Sequence, residues 1–191
     1  MRYSVVLLWV VALGFVHPTQ VTVAGQKPVE QRDIDFVVPT ADSVRELAGQ
    51  ADTVLTIRIR SRSSALLNEP GTRRDHVFTT YHAEVLEQHK RHPLGVPAGT
   101  ELQFGQRGGE VDAGDRIIRA NGSGLLQPMR EYVVFLTRNP AFDIWELPWG
   151  AAGALEIREN DVKPAAHSAA GAALEKMGKA RLLAELRSLE K

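Results

Sequence analysis

Residues 76–90, HVFTTYHAEVLEQHK, constrain the fold of this chain more than any other stretch. The odd-numbered positions from Val77 to Val85 carry residues that fit a packed, pleated surface. The even-numbered positions between them include His82 and Glu84. Alternation with a period of two over this length predicts one long strand with a buried face and a wetter face.

Five other segments have strand-like patterns. Residues 51–60, ADTVLTIRIR, alternate between apolar and polar positions, and residues 132–137, YVVFLT, form a continuous apolar run between turn residues. The first pattern is typical of a strand with one solvated side, and the second of a strand buried on both sides. The remaining candidates are residues 100–106, 142–147 and 154–158.

The connections between these segments favour an antiparallel sheet. Residues 61–75 and 107–127 are polar and glycine-containing, and we interpret both as long loops. Because no helical pattern separates the strands, we predict a mainly β fold, a small antiparallel OB-like β-barrel of roughly five to seven strands. A β-sandwich would give nearly the same pattern, so that alternative stays open.

A helix is predicted on each side of the β domain. Ser43 and Glu46 match a capping box at the start of a short leading helix within residues 41–50. After about residue 166 the apolar residues change to a helical period, which predicts a C-terminal amphipathic helix that either packs on the barrel or stays free. The expected organisation is a signal peptide at 1–24, a leader at 25–40, the barrel at 41–165 and the helix at 166–191.

The N-terminal segment predicts export. Arg2 precedes an apolar run over residues 5–16, and small residues around Ala24 offer a cleavage site. This run is shorter than the roughly 20 residues that span a bilayer as a helix, so a cleaved secretory signal is favoured over a retained anchor. The expected location is the periplasm or the extracellular space, with no membrane span after cleavage.

Composition excludes several classes of chemistry. Lys+Arg and Asp+Glu both number 23, and this neutral balance argues against a nucleic-acid-binding protein, although arginines at 58, 60, 62, 73 and 74 could form a local basic patch. The chain has no cysteine. Disulfides, thiolate metal sites and a cysteine nucleophile are therefore excluded.

Metal and catalytic patterns are weak. His76 and His82 would lie about 20 Å apart on one strand, so they cannot share an ion. His89 and His92, with Glu87, could form a loop site for zinc or copper. We favour instead exposed histidines around a strand end, and we expect no metal or cofactor.

Two further patterns belong to hydrolytic chemistry. Acidic residues at 110, 112 and 115 are interpreted as solvated turns and not as a paired-carboxylate site. Gly122-Ser123-Gly124 lacks the spacing and the helix of a nucleophile elbow, and we interpret it as a flexible loop. No catalytic residue is therefore assigned.

Six residues are candidates for a binding surface. Trp145 and Trp149, near Phe142 and Tyr132, could form an aromatic ligand platform or close the barrel core, and the core is the favoured interpretation. The others are charged or polar residues on the predicted wet face of the strands: Arg58, Arg60, His82 and Glu84.

Several short motifs resemble a group of exported proteins of unassigned role, which are similar in layout to the OB-type barrel of tissue inhibitors of metalloproteinases. The residues that carry the resemblance, between about 43 and 163, are Ala51-Asp52, Tyr81-x-Ala83-x-Val85-Leu86 with Lys90, Gly108-Gly109, residues 130–136, and Gly153-x-Leu155 with Ile157. The inhibitors chelate zinc through an N-terminal cysteine, which this chain lacks. The resemblance therefore implies a fold and no activity.

These observations predict an exported, non-enzymatic binding or protein-interaction module. Its expected partner is a protein or an envelope polymer, engaged through residues 61–75 and 107–127. One alternative is an envelope hydrolase with a cleft lined by His82, Glu84 and Arg58. Another is a protease inhibitor that acts through a rigid, protruding loop.

Overall fold

A computed structural model describes residues 27–34, 43–68, 75–93, 95–121, 124–140, 142–166 and 177–190. The predicted signal peptide and half of the predicted leader, residues 25–26 and 35–40, lie outside these residues. None of the helices in the described ranges is long and apolar enough to cross a membrane.

The described chain is mainly β, as predicted, with ten strands and two α-helices. In chain order they are β1 (Val29–Asp33), α1 (Val44–Gln50), β2 (Thr53–Asn68), β3 (Asp75–Lys90), β4 (Glu101–Arg107), β5 (Gly109–Asp112), β6 (Ile117–Asn121), β7 (Glu131–Asn139), β8 (Ile144–Glu146), β9 (Ala154–Ile157), β10 (Val162–Pro164) and α2 (Lys179–Arg187). The predicted count of roughly five to seven strands is lower than this, because β1, β5, β6 and β10 lie in segments outside the six predicted strands.

The strands form two sheets. Seven strands pair in the order β10-β9-β7-β2-β3-β4-β8, and an additional pairing of β7 with β8 closes a ring of five strands, β7-β2-β3-β4-β8. The second sheet has the order β1-β6-β5. Most pairings are antiparallel, but β4 with β8 and β1 with β6 are parallel.

The central strand has the predicted facing. In β3 the odd-numbered residues from Val77 to Val85 are buried, whereas His82 is exposed and Glu84 half-buried. The apolar run in β7 is buried on both sides, from Tyr132 to Leu136. One side of β7 faces the interior of the ring, and the other lies under the helices.

The prediction of a loop over residues 61–75 is wrong for residues 61–68. These residues continue β2 and pair with β3 from Ser61 opposite His82 to Asn68 opposite Asp75. Their serines and arginine led us to predict a loop, but this half of the hairpin has one solvated face that accepts polar side chains. Residues 69–74 lie outside the described residues.

The prediction of a loop over residues 107–127 is also wrong in part. Residues 109–112 and 117–121 form the antiparallel hairpin of β5 and β6. This hairpin and β1 pack against the far end of the β2–β3 hairpin through a small apolar cluster, which includes Val77, Ile118 and Ala120.

The helices cover part of the outer face of the seven-stranded sheet. Ser43 caps α1 by accepting a hydrogen bond from the Glu46 amide at 3.2 Å, as the capping pattern predicted. Leu182 and Leu186 of α2 are fully buried in one cluster with α1 and with the outward-facing residues of β2, β7 and β9. Burying such a leucine stabilises a fold by roughly 1.5–3 kcal/mol, so α2 is docked and not free.

Residues 124–127, which we call the strap, close one side of the ring. Leu126 is buried among the interior residues of the ring. Its amide donates to the Tyr81 hydroxyl at 3.1 Å, and its carbonyl accepts from Arg62 at 2.8 Å. Gln106 binds the carbonyl of Gly124 at 2.6 Å. Side chains thus provide the strap with the backbone partners that a neighbouring strand would otherwise supply.

We predict that stability falls at high pH because of Tyr81. Burial raises the pKa of Tyr81 to about 12 from its ordinary value of 10. The unfolded chain therefore loses this proton first, and the stabilisation present below pH 10 is lost as the pH rises through 12. The loss should be roughly 2–3 kcal/mol in denaturant unfolding between pH 9 and pH 12. A Tyr81→Phe variant that loses stability with the same pH slope would contradict this assignment.

We also predict that Gly109→Ala destabilises the fold more than Gly114→Ala. Both glycines have positive φ, 128° and 91°, which is strained for alanine. A Cβ at Gly109 would lie 2.4 Å from the Thr79 hydroxyl and 2.6 Å from that of Ser64, whereas a Cβ at Gly114 would meet nothing within 4 Å. Thermal unfolding should show an additional cost of about 1–3 kcal/mol for Gly109→Ala. Equal costs would contradict a steric role of Gly109.

Candidate functional site

The outer face of the seven-stranded sheet is divided into a covered half and an open half. The covered half lies under α1 and α2, and its residues are apolar, such as Val54, Val133 and Phe135. The open half contains charged and polar side chains from three neighbouring strands, β2, β3 and β7. We define it as Arg58, Arg60, His82, Glu84 and Glu131.

Ion pairs join the three strands around Arg58. Arg58 on β2 donates to Glu131 on β7 at 2.6 Å, and its other guanidinium nitrogen lies 3.7 Å from Glu84 on β3. The hydrogen bond to Glu131 raises the pKa of Arg58 above its ordinary value. Glu84 also pairs with Arg60. The predicted residues Arg58, Arg60 and Glu84 are therefore brought together.

Arg60 lies at a bulge of β2. Ile59 pairs with Ala83 and Ser61 pairs with His82, so Arg60 is the extra residue of β2. Because side chains alternate with a period of two, one extra residue reverses the facing of all later positions of β2. Before the bulge the odd-numbered residues face inward, and after it Ser61 and the next odd positions are exposed.

A second cluster of ion pairs lies on the other face of the sheet, because Glu156 pairs with Tyr132 between strands and shares its ring side. Arg130 and Arg158 both pair with Glu156. Burial opposes ionisation of Glu156, but the hydrogen bonds from Arg158 and Arg130 outweigh it, and the pKa of Glu156 lies below its ordinary value. The hydrogen bond to Glu156 raises the pKa of Arg130. Our sequence analysis missed Glu131 and these three residues, because finding them requires the strand order.

The predicted hydrolase cleft is not formed at His82. This histidine is exposed on the same face as Glu84, with Ser61 opposite it on β2. Glu84 and Arg58 are engaged in ion pairs on an open sheet surface. The two cavities that the structure shows in the described part of the chain are lined by other residues.

The two tryptophans do not form a surface platform. Trp145 is 6% exposed and belongs to the interior of the ring, whereas Trp149 is 9% exposed and belongs to the layer under the helices. Trp145 contacts His92 edge-on and lies 5.6 Å from the Arg138 guanidinium. Burial favours the core interpretation for both, since neither ring face is open to a ligand.

The histidines near the end of β3 are not the exposed group that we favoured. His89 is buried, and its Nε2 lies 2.8 Å from the Thr56 hydroxyl. A register shift between residues 88 and 90 turns the ring of His89 onto the covered half of the sheet. His92 packs on Trp145 instead. Within the described ranges no three histidine, aspartate or glutamate side chains are grouped to hold a metal ion.

The acidic residues of the β5–β6 region each have a basic partner. Glu110 pairs with Arg119 at 2.6 Å, Asp112 with Lys27 at 2.5 Å, and Asp115 with Arg116 at 3.0 Å. The hydrogen bond from Lys27 lowers the pKa of Asp112 below its ordinary value. All three are exposed, but the turn interpretation is wrong for Glu110 and Asp112, which lie in β5, and holds for Asp115. Gly122 and Ser123 lie outside the described residues.

A small cavity of about 230 Å³ lies between the ring and the three-stranded sheet. Gly108 and Gly109 line it, together with the strap residues Gly124 and Leu125 and the Glu110–Arg119 pair. A second cavity, of about 460 Å³, lies beside Leu189 and the end of β3 and is lined by His89, Lys90 and Arg91. Lys90 itself binds the carbonyl of Ala48 at 2.8 Å, close to the end of α1.

Comparison with known proteins adds no assignment. No model of a known protein family matches the sequence, and no curated protein matches it either. The function therefore has to be argued from the geometry of the open half.

We predict that the fold tolerates both replacement and deletion of Arg60. Arg60→Ala keeps the bulge and loses a half-exposed ion pair, which should change stability by less than about 1 kcal/mol. Deletion removes the extra residue and leaves Ser61 opposite His82 and Leu66 opposite Val77, so the later side chains of β2 keep their facing. Neither variant should lower the melting temperature by more than about 5 °C, equivalent to roughly 2 kcal/mol. A much lower melting temperature for the deletion alone would contradict the assignment of Arg60 as the extra residue.

Proposed function

We propose that this protein is an exported, non-enzymatic interaction module that binds a partner protein through the open half of its sheet. The observation that carries the proposal is the division of one sheet face. Two helices cover the apolar half, whereas the adjoining half presents ion-paired side chains held by neighbouring strands. Rigid strands place charges more reproducibly than loops do, and such patterns give interfaces their specificity and register.

Three properties of the chain support this proposal. The N-terminal pattern over residues 1–24 is typical of a secretory signal. The closed ring of five strands, with its filled interior, fits the proposed OB-like barrel. The carboxylates of the open half are paired with arginines, which favours recognition over acid–base chemistry.

The geometry changes the surface that we assign to binding. Residues 61–68 are strand, and part of 107–127 is a hairpin. The predicted interface of two flexible loops therefore does not describe these segments, which are largely regular strands. We assign recognition to the open half, and the loops are secondary.

We predict that exchanging the charges of one ion pair abolishes binding while the fold is retained. In the double variant Arg58→Glu/Glu131→Arg, the residues can still pair, and the net charge is unchanged. The pattern of charges that a partner meets is reversed, however. The mature chain from Gly25 is used as bait against envelope extract with chemical cross-linking. The native chain should retain a partner that the double variant does not retain.

The matched control is Glu110→Arg/Arg119→Glu, which exchanges an ion pair of similar length on the β5–β6 hairpin. This control should retain the partner and show a similar melting temperature. Loss of the partner by the control alone would move the binding surface to the hairpin. Retention by both double variants would contradict a role of the open half.

A further inference from the structure

A group of arginines lies on the ring side of the sheet, away from the open half. Glu156 of β9 stands opposite Tyr132 of β7, so the two side chains share a face, and Tyr132 belongs to the interior of the ring. Arg130 and Arg158 both pair with Glu156 and are exposed to solvent. Together with Arg62 they form what we call the arginine rim.

The strap joins Arg62 to Tyr132. The peptide group between Leu126 and Gln127 is bound at both of its polar atoms. Its carbonyl oxygen accepts from Arg62 Nη1 at 2.8 Å, and its N–H donates to the Tyr132 hydroxyl at 3.0 Å. The oxygen and nitrogen of one peptide group are about 2.3 Å apart, so Arg62 Nη1 and the Tyr132 hydroxyl oxygen lie no more than about 8 Å apart.

Two of these arginines act electrostatically on the Tyr132 hydroxyl. Burial raises the pKa of Tyr132 above its ordinary value, whereas the hydrogen bond from Gln127 and the positive charges of Arg130 and Arg62 oppose that rise. The hydroxyl is therefore within electrostatic reach of both guanidinium groups.

Arg62 and Tyr132 both have hydrogen-bonding capacity left. Arg62 is half-buried, and no carboxylate in the described ranges lies within ion-pair distance of it. Its bond to the strap uses one of five N–H donors, and a carbonyl carries no formal charge. The Tyr132 hydroxyl accepts from the strap and keeps its own proton as a donor. An unpaired cation in a half-buried place costs free energy, which an anion bound beside it would offset.

The positive charge of the arginine rim exceeds the negative charge beside it. Glu156 supplies one carboxylate for both Arg130 and Arg158, which leaves one guanidinium charge in excess, and Arg62 adds a second. The acids of the exposed turn at 159–161 form no ion pair with the rim in the described part of the chain. The rim therefore offers an excess of positive charge to a ligand.

A phosphate monoester matches this arrangement better than a carboxylate does. It carries a charge of about −1.5 to −2 at pH 7 and presents three acceptor oxygens, whereas a carboxylate carries one charge on two oxygens. Guanidinium groups bind phosphate through two parallel N–H bonds, and the Tyr132 hydroxyl supplies a further donor.

We infer that the arginine rim and the Tyr132 hydroxyl form a binding site for a phosphoryl dianion, carried by a phosphate monoester or present as free phosphate. This inference goes beyond the proposed function, because the site lies on the other side of the sheet and takes a ligand of different chemistry. The strap stays in place when the anion binds, since Arg130 and Arg158 are accessible from solvent.

The first part of the test measures binding by NMR with the isotope-labelled mature chain from Gly25, and glycerol 3-phosphate is the probe. The Gln127 amide is the reporter, because it donates to the Tyr132 hydroxyl. We expect a saturable shift of this amide and of the Arg62 guanidinium, with a dissociation constant of about 1 mM or tighter. Acetate should bind at least roughly tenfold more weakly. No saturable shift of the Gln127 amide, or equal affinity for acetate, would overturn the inference.

Inorganic phosphate separates the two sources of the phosphoryl group. An affinity equal to that of glycerol 3-phosphate would support the inference and assign the site to phosphate itself. An affinity roughly tenfold lower would also support it and assign the site to a phosphorylated molecule.

The second part removes one guanidinium group at a time. Arg62→Gln retains an amide donor for the strap carbonyl, and Arg130→Gln leaves Glu156 paired with Arg158. The matched control, Arg119→Gln, removes the same charge on the β5–β6 hairpin. We expect each of the first two variants to weaken binding at least about fivefold, and the control to stay within about twofold of the native chain.

Arg130→Gln keeps the test decisive if Arg62→Gln loosens the strap, because the Arg130 side chain pairs with Glu156 and not with the strap. The melting temperature of each variant shows whether it is folded. Unchanged affinity of folded Arg130→Gln would overturn the inference. Equal weakening by all three variants would reduce the effect to net charge and would overturn it as well.

Discussion

The long β2–β3 hairpin, which is bulged at Arg60, determines how the rest of the molecule is arranged. Before the bulge, the inward side chains of β2 fill the ring. After it the even-numbered positions of β2 take over the inward side, and Leu66, opposite Val77, contributes to the cluster beneath the three-stranded sheet. One face of the hairpin therefore serves two apolar clusters, one towards each end. Further shifts near residues 54–57 of β2 bend the same hairpin, as closing a ring of only five strands requires.

Much of the local structure follows from the sequence. The alternation of β3, the buried run of β7, the cap at Ser43 and the stripe of α2 are local patterns, and each is confirmed by burial or by hydrogen bonds. They could be predicted because the period of side chains along one element depends only on that element. Residues 61–68 were wrongly predicted as a loop because their strand is stabilised by pairing with β3. Pairing between strands leaves no local pattern in the sequence.

The candidate site could be predicted only in part. Arg58, Arg60 and Glu84 were selected because they share the wet face of two strands, and the structure brings them together. Glu131 escaped selection because its role depends on β7 lying beside β2. A single sequence contains no direct record of strand order. The tryptophans pose a different difficulty. A large aromatic side chain near a turn is equally compatible with a place in the core and with a surface platform for a ligand.

The strap explains why the interior of this ring is a poor place for a ligand. A small ring is normally filled by its own side chains, and here Leu126 enters from outside and completes the filling. The hydroxyl of Tyr81 and the guanidinium of Arg62 bind the backbone of Leu126. Opening this site would leave several buried polar groups without partners, at a cost of roughly 1–3 kcal/mol each. Recognition through the outer face needs no such opening, which is a physical reason to prefer a surface interface over an internal binding pocket.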